Sequence, residues 1–211
     1  MSDQPTCRIV VLASGAGSNL AALLEAHTNP NWGGQIVAVG SDVPGCGALG
    51  LAEQVDVPAF CLEIKDFPDR AQWDVALANA AAAYEPDLIV SAGFMRILGD
   101  EFLAQWEGKI INTHPALLPS FPGAHGVRDA LEHGVKVTGV TVHLVDRGVD
   151  TGPIIAQRVV AVEDGDTQET LHERIKVVER RLLVEVVGAM ARAGWRAEGR
   201  TVKLNSPVSV E

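Results

Sequence analysis

At 211 residues, with 47% hydrophobic and 21% charged side chains, the chain has the length and composition of a soluble protein that buries a sizeable core. Its formal net charge of −10 and pI near 5.0 argue against a basic face for nucleic acid, while a few local cations or backbone N–H groups still suffice for a small anion. Cys7, Cys46 and Cys61 are widely spaced with no Cys-x-x-Cys, which rules out a disulfide framework or zinc cluster and fits a reducing cytoplasm.

The apolar run Ile9 to Ala13 is too short for a signal or membrane segment. Cys7 to Ala13 reads instead as a buried strand closed by Ser14-Gly15. Ser14-Gly15-Ala16-Gly17-Ser18-Asn19 follows, and then Leu20, Leu23 and Leu24 at helical spacing. A strand, a glycine-rich turn and a helix start aim backbone N–H groups and the positive end of a helix dipole at one point, where phosphate binds. A dinucleotide fingerprint is the competing reading, supported by Asp42 at the end of the strand Ile36 to Gly40. It lacks the third glycine, since Leu20 stands there. A purely structural glycine turn with a Ser or Asn helix cap stays open.

Asp42 to Gly50 is turn-rich, Leu49 to Val55 suits a short helix, and Pro58 to Cys61 a short strand. Asp66 to Asp69 precedes a helix from about Arg70 to Ala83, ended by Glu85-Pro86-Asp87. Leu88 to Ser91 is another buried strand, left by Ala92-Gly93-Phe94-Met95-Arg96-Ile97-Leu98, and Asp100 to Trp106 a short helix. The run Lys109-Ile110-Ile111-Asn112-Thr113-His114-Pro115 begins apolar and turns polar, and in an extended segment Asn112 and His114 share a face. An amide and an imidazole at the end of a buried strand suit the polarisation of a carbonyl and the movement of a proton. A strand cap with a satisfied loop histidine is the plainer alternative.

Ala116 to Gly126 has prolines and glycines without periodicity, as an active-site loop does, and a short helix spans Arg128 to His133. Val137 to Val145 alternates as a strand, with His143 facing away from Leu144. Asp146 to Pro153 is a loop with two carboxylates, and Ile154 to Val162 returns as a strand. Asp166 opens a long helix, with Glu169 completing a capping box and Leu171, Ile175, Val178, Leu182, Val186 and Met190 forming one apolar stripe. Lys176 and Glu179 fall on its polar side, where such a pair is ordinarily solvated, and Gly194 stops the helix. A small hairpin from Arg196 to Leu204 and a frayed tail complete the chain, with no linker or repeat. One domain over residues 1–211, ordered from Cys7 to about Leu204, is the economical count. The rhythm predicts an α/β fold, a mainly parallel sheet with helices on both faces. Ligands collect beyond the C-terminal ends of its strands, where Gly15 to Asn19, Phe94 to Leu98 and Asn112 to His114 sit.

Asn112-Thr113-His114-Pro115, Leu117-Leu118-Pro119, Phe121-Pro122-Gly123, His143-Leu144-Val145 and Asp150-x-Gly152-Pro153, in that order, resemble the folate-dependent formyltransferases. Ser14-Gly15-x-Gly17-Ser18-Asn19-Leu20 and Ala92 to Leu98 narrow this to the purine-pathway branch acting on glycinamide ribonucleotide. The likeness runs from about Cys7 to Trp195. It implies a Rossmann-like formyltransferase fold and 10-formyltetrahydrofolate as co-substrate, with no metal. Asn112 would polarise the formyl carbonyl, His114 would be the catalytic acid, and Asp150 would stand beside it. Gly17, Ser18 and Asn19 would hold the ribonucleotide phosphate, Glu179 its amino end, and Lys176 would help line that site. The folate would lie against Met95, Arg96, Ile97, Leu98, Asn112 and the loop Asp146, Arg147, Gly148, Val149, Asp150, with Arg70 near its glutamate tail. The resemblance also suggests a cis peptide before Pro119, whereas Ala124 to Val127 departs from the family pattern.

Two small-molecule substrates are the expected partners, with no nucleic acid or membrane; a homodimer is left open. Formylation of methionyl-tRNA would need a basic surface, and is expected of a longer chain. Hydrolysis of formyl-folate would not need the Gly17-Ser18-Asn19 cradle, and a non-catalytic nucleotide-binding module would leave Asn112 and His114 structural. The chemistry is coherent in its own terms. An amine attacking a formyl carbon builds charge on the carbonyl oxygen, and each donor aimed at such an oxyanion is worth roughly 3 kcal/mol.

Overall fold

The first strand, β1 (Cys7–Leu12), is apolar on both faces because the sheet it belongs to is covered on both. The structure, a computed structural model, describes residues 6–205 and residue 208. From β1 the chain runs through α1 (Ser18–His27), β2 (Gly34–Ser41), α2 (Gly47–Gln54), β3 (Ala59–Cys61), α3 (Arg70–Ala82) and β4 (Leu88–Ser91). It continues through α4 (Asp100–Gln105), β5 (Ile110–His114), α5 (Gly126–His133), β6 (Val137–Leu144), β7 (Ile154–Ala161) and α6 (Gln168–Ala193), and a hairpin of β8 (Trp195–Glu198) and β9 (Thr201–Leu204) follows. The tail expected after Leu204 lies, apart from residues 205 and 208, outside the described residues.

Seven strands form one sheet in the order β3-β2-β1-β4-β5-β6-β7. β1 to β5 pair in parallel, whereas β6 and β7 join in antiparallel fashion, so the expected mainly parallel α/β sheet is observed. The strand order reverses between β1 and β4, the switch point at which open α/β sheets bind ligands. The glycine turn after β1 and the loop after β4 both leave from that point, and β5 ends beside them.

Side chains at alternate strand positions enter two separate cores. Ile9, Val11, Val90, Ile111, Val140 and Val142 pack with Leu20 of α1, Ala48 of α2, Val127 of α5 and Leu182 of α6. On the opposite face Val10, Leu12, Ile89 and Ile110 pack with Trp73 and Leu77 of α3 and Phe102 of α4.

Several local expectations need correction. α2 starts at Gly47 and α5 at Gly126, each two residues before the expected Leu49 and Arg128. The cap of α6 is Thr167 paired with Thr170, not Asp166 with Glu169. Asp166 is occupied otherwise, accepting from the Glu163 N–H at 2.8 Å and pairing with Arg174. α1 has no side-chain cap: Gly17 begins it at φ 80°, and no Ser or Asn oxygen takes its first N–H groups. The expected polar placement of Glu179 is also wrong. Glu179 is buried, because it stands four residues after Ile175 and three before Leu182, within the apolar stripe itself.

Candidate active site

β5 places its polar residues by simple alternation. Asn112 and His114 project to the α3 and α4 side of the sheet, and Thr113 projects to the α1 and α6 side, as expected for a period of two. Across the antiparallel pairing Asn112 lies opposite His143 of β6, and His114 opposite Thr141. Asn112 Nδ2 is 3.4 Å from His143 Nε2, and His143 Nδ1 is 2.8 Å from the Leu144 carbonyl. His143 Nδ1 gives its proton to the Leu144 carbonyl, and Nε2 faces both Asn112 and Asp150, accepting one Asn112 amide hydrogen when it is bare and donating toward Asp150 Oδ1 when it is protonated. The other amide hydrogen remains free for a ligand.

His114 is buried between two acceptors. Its Nδ1 is 3.2 Å from Asp150 Oδ2, and its Nε2 is 2.7 Å from the Phe121 carbonyl oxygen. A neutral ring satisfies only one of these, and only the imidazolium satisfies both. Burial nevertheless holds the His114 pKa below its ordinary value, with the Asp150 charge and the Phe121 carbonyl pulling it back upward and His143 adding to the decrease. Of the opposing effects on the ring, desolvation is the larger.

Asp150 ties these groups together. Its Oδ2 also accepts from the Gly123 N–H at 2.8 Å, and its Oδ1 lies 3.5 Å from His143 Nε2. Burial pushes its carboxyl upward, but the His143 contact, the Gly123 N–H and the charges of the two imidazoles prevail and bring it to about 2. Asp150 and Phe121 both adopt φ 55°, a left-handed conformation unfavourable for side-chain-bearing residues, at a cost of about 1–3 kcal/mol each. The two residues that grip the His114 ring thus carry local backbone strain. Gly126 leaves room for that ring, since a Cβ there would lie 3.0 Å from His114 Nε2.

The loop between β5 and α5 is anchored from below. Thr141 donates to the Ala116 carbonyl at 2.7 Å and accepts from the Leu118 N–H at 3.0 Å, while Gln157 Nε2 donates to the Leu118 carbonyl at 2.9 Å. The Leu118–Pro119 peptide is cis, as expected.

In front of Asn112 a cavity of about 220 Å³ is lined by Met95, Arg96, Ile97 and Leu98 on one wall and by Asp146, Gly148, Val149 and Asp150 on the other. His143 also reaches it, but His114 does not line it. Met95 and Ile97 are exposed, whereas Leu98 belongs mostly to the core. Arg147 does not line this cavity either, and its guanidinium pairs with Asp100 at the surface at 3.3 Å. Arg70 lies beside the loop rather than in the cavity, donating to the Ile97 carbonyl and covering the Trp73 ring at 4.7 Å. Asp146 folds its own loop by accepting from the Gly148 N–H at 3.0 Å and the Thr151 hydroxyl at 2.6 Å. A wider groove of about 830 Å³ beside α2 and β3 is lined by none of the expected site residues.

The wall from Met95 to Leu98 is fastened to the glycine turn by groups that sequence reasoning missed. The fully buried Asp42 carboxylate accepts from the Ser14 hydroxyl at 2.5 Å and from Arg96 Nε at 2.6 Å, and Ser14 Oγ accepts from the Met95 N–H at 2.8 Å. Asp42 is thus committed to protein partners, which removes the support it lent to a dinucleotide site. Gly17 sits at the turn itself, where a Cβ would approach Ala48 Cα to 2.9 Å, so α2 closes over the turn only with glycine there.

On the α6 side, Thr113 donates to Glu179 Oε1 at 3.0 Å, and Asn19 adds a side-chain hydrogen bond to the same carboxylate. Lys176 pairs instead with Glu173 at 2.7 Å. The partnership of Thr113 and Glu179 was legible in principle, from strand alternation and the helix stripe together. The Phe121 carbonyl has no sequence signal, because any residue supplies one. Among the described residues no group of three or more His, Cys, Asp or Glu is arranged to hold a metal ion, and no helix is long and apolar enough to cross a membrane.

Comparison with known proteins converges on one family. The profile of the formyl transferase family matches residues 7–187. Phosphoribosylglycinamide formyltransferase of Mycobacterium tuberculosis is 57% identical over 203 residues, covering 96% of this chain and 94% of that protein. The Bacillus subtilis protein of the same name is 39% identical over 191 residues, covering 90% and 98%. The crystal structure of glycinamide ribonucleotide transformylase 1 from Symbiobacterium toebii superimposes with a TM-score of 0.92 at 42% identity, covering 95% of each chain.

Proposed function

The chain belongs to the formyl transferase family, and from that membership we propose that it moves the formyl group of 10-formyltetrahydrofolate onto the amine of glycinamide ribonucleotide in de novo purine synthesis. The observation that carries this reading is the two-sided end of β5. Asn112 faces the cavity, His114 is gripped by Asp150, and Thr113 reaches through to Glu179 beneath the glycine turn. Two substrates approaching from opposite sides of the sheet would meet at that strand end. Residues 1–211 act, in this reading, as one catalytic domain in the cytoplasm, and the three free cysteines fit a reducing compartment.

The ribonucleotide phosphate would sit on the N–H groups of Gly17, Ser18 and Asn19, which no side chain caps, at the positive end of α1. Glu179 would accept donors from the same molecule, with Lys176 at the rim. The folate would occupy the cavity between Met95 to Leu98 and the loop holding Asp146, Gly148, Val149 and Asp150. Arg70 and Arg147, both outside the cavity, are left for the distal, anionic part of the folate or for no contact at all.

The amine nitrogen attacks the formyl carbon, and the carbonyl electron pair moves to oxygen. The free Asn112 amide hydrogen stabilises that oxyanion, a contribution of roughly 3 kcal/mol for one such donor. His114 supplies the second donor once its Nε2 exchanges the Phe121 carbonyl for substrate; it gives a proton to the departing folate nitrogen and is reprotonated by the one the attacking amine loses, so the proton count closes. The growing oxyanion favours the imidazolium, and Asp150, ionised throughout the neutral range, stabilises it from the other side of the ring. The reaction closes as the bond between the formyl carbon and the folate nitrogen breaks.

The test is a transfer assay on the purified protein with both substrates. The reading predicts formylated ribonucleotide in proportion to folate consumed. Formate released at the same rate with or without the ribonucleotide would instead identify a formyl-folate hydrolase.

A further inference from the structure

The residue between Asn112 and His114 points away from both, into a cluster of its own. Thr113, Glu179 and Asn19 are all buried, and they come from β5, α6 and the first turn of α1. Thr113 donates to Glu179 Oε1 at 3.0 Å, and Asn19 holds the same carboxylate through its amide. The cluster is not closed: Asn19 Oδ1 is buried and has no hydrogen-bond partner. A buried amide oxygen without a donor is uncommon and marks a place for a ligand that brings one. The open acceptor, together with the Glu179 carboxylate, is complementary to a ligand rich in hydroxyl or ammonium hydrogens, as the ribonucleotide is.

We propose that Thr113 is a positioning residue for the ribonucleotide, holding Glu179 as an oriented acceptor for that substrate's donor groups, a role that rests on the reading of the site given above. Geometry makes the coupling direct. Thr113 belongs to the same strand as the groups facing the transferred formyl carbon, so its hydroxyl links the ribonucleotide side of the sheet to the reacting side.

Burial pushes the Glu179 carboxyl upward, and the donors Thr113 and Asn19 oppose this, together with the charges of Lys176 and Arg180 on its own helix. The facing groups from β5 and α1 do not titrate. Removing the Thr113 hydroxyl therefore leaves Glu179 easier to protonate and oriented by Asn19 alone.

The experiment measures kcat and both KM values across the acid limb of the pH profile in the wild type, Thr113→Val, Thr113→Ala, Thr113→Ser and Glu179→Gln. Thermal melts establish that each variant is folded, and valine is at home in a buried strand. Loss of a hydrogen bond to a charged group corresponds to a factor of about 10–100. Thr113→Val and Thr113→Ala are expected to raise the ribonucleotide KM by such a factor, with a much smaller change in folate KM. The acid limb of kcat/KM for the ribonucleotide is expected to move to higher pH in both, and Thr113→Ser to restore it. If Glu179→Gln raises the ribonucleotide KM while Thr113→Val and Thr113→Ala leave KM and the limb unchanged, the Thr113 proposal fails and the Glu179 assignment stands. If Glu179→Gln itself leaves the ribonucleotide KM unchanged, the reading of Glu179 as a substrate contact fails, and the Thr113 proposal with it.

Discussion

Asp150 Oδ2 lies 3.2 Å from His114 Nδ1, yet burial keeps the ring's pKa below its ordinary 6.5. These opposite tendencies predict how stability follows pH. His114 is favoured neutral in the fold, so its contribution is complete above about pH 6.5 and is lost as pH falls below that. Asp150 is favoured ionised, so its contribution is complete above its ordinary 3.8 and disappears as pH falls through about 2. The lowering of the Asp150 carboxyl from 3.8 to about 2 corresponds to about 2 kcal/mol of stability at neutral pH. Urea midpoints against pH should therefore begin to fall below about pH 6.5 in the wild type, and less steeply in His114→Gln. Identical slopes in the two proteins would show that the buried ring carries no proton linkage.

Gly126 offers a sharper steric test. It is the first residue of α5, and its φ is not in the left-handed region, so the backbone itself admits alanine. A Cβ there would nonetheless lie 3.0 Å from both His114 Nε2 and the Phe121 carbonyl oxygen. Gly126→Ala should leave the protein folded, with a modestly lower melting temperature, while lowering kcat about ten-fold, equivalent to about 1.4 kcal/mol of barrier. Wild-type turnover would mean that the ring need not hold this position.

The third prediction concerns Asp42, which joins Ser14 to Arg96. Asp42→Asn keeps the shape but turns one oxygen into a donor, which then opposes either the Arg96 N–H or the bond that the Ser14 hydroxyl makes. Stability should drop by about 1–3 kcal/mol, as expected for a buried bond to a charged group. Because the wall from Met95 to Leu98 is loosened, the formyl-folate KM should rise several-fold and the ribonucleotide KM much less. An unchanged folate KM would show that the wall is held without Asp42.

What was legible in the sequence and what was not divide along physical lines. The buried strands around Val10, Ile89 and Ile110 were readable because a strand covered on both faces must be continuously apolar. The turn at Gly17 and the alternation of Asn112 with His114 were readable because backbone geometry imposes them locally. Glu179 was misjudged because a charged residue ordinarily faces water, and its position on the stripe counted for less than its charge. Thr167 displaced Asp166 as the helix cap because Asp166 had a competing partner, Arg174, eight residues along the chain. The direction of the His114 shift depends on how completely the loop bearing Phe121 covers the ring, a tertiary property with no local signature. Asp42, Ser14 and Arg96 come from three separate segments, so their meeting required the sheet order.

The central claim is that His114 and Asp150 act as a unit on the proton of the transfer step. The direct measurement is His114 titration by NMR combined with kcat against pH, in the wild type and in Asp150→Asn. Asparagine retains the shape and removes the charge, so the His114 pKa should fall further below its already depressed value. Turnover should fall by orders of magnitude while both substrates still bind, since the charge matters most when the oxyanion forms. A His114 titration that does not move, with kcat within a few-fold of wild type, would make Asp150 a structural loop residue and contradict the account.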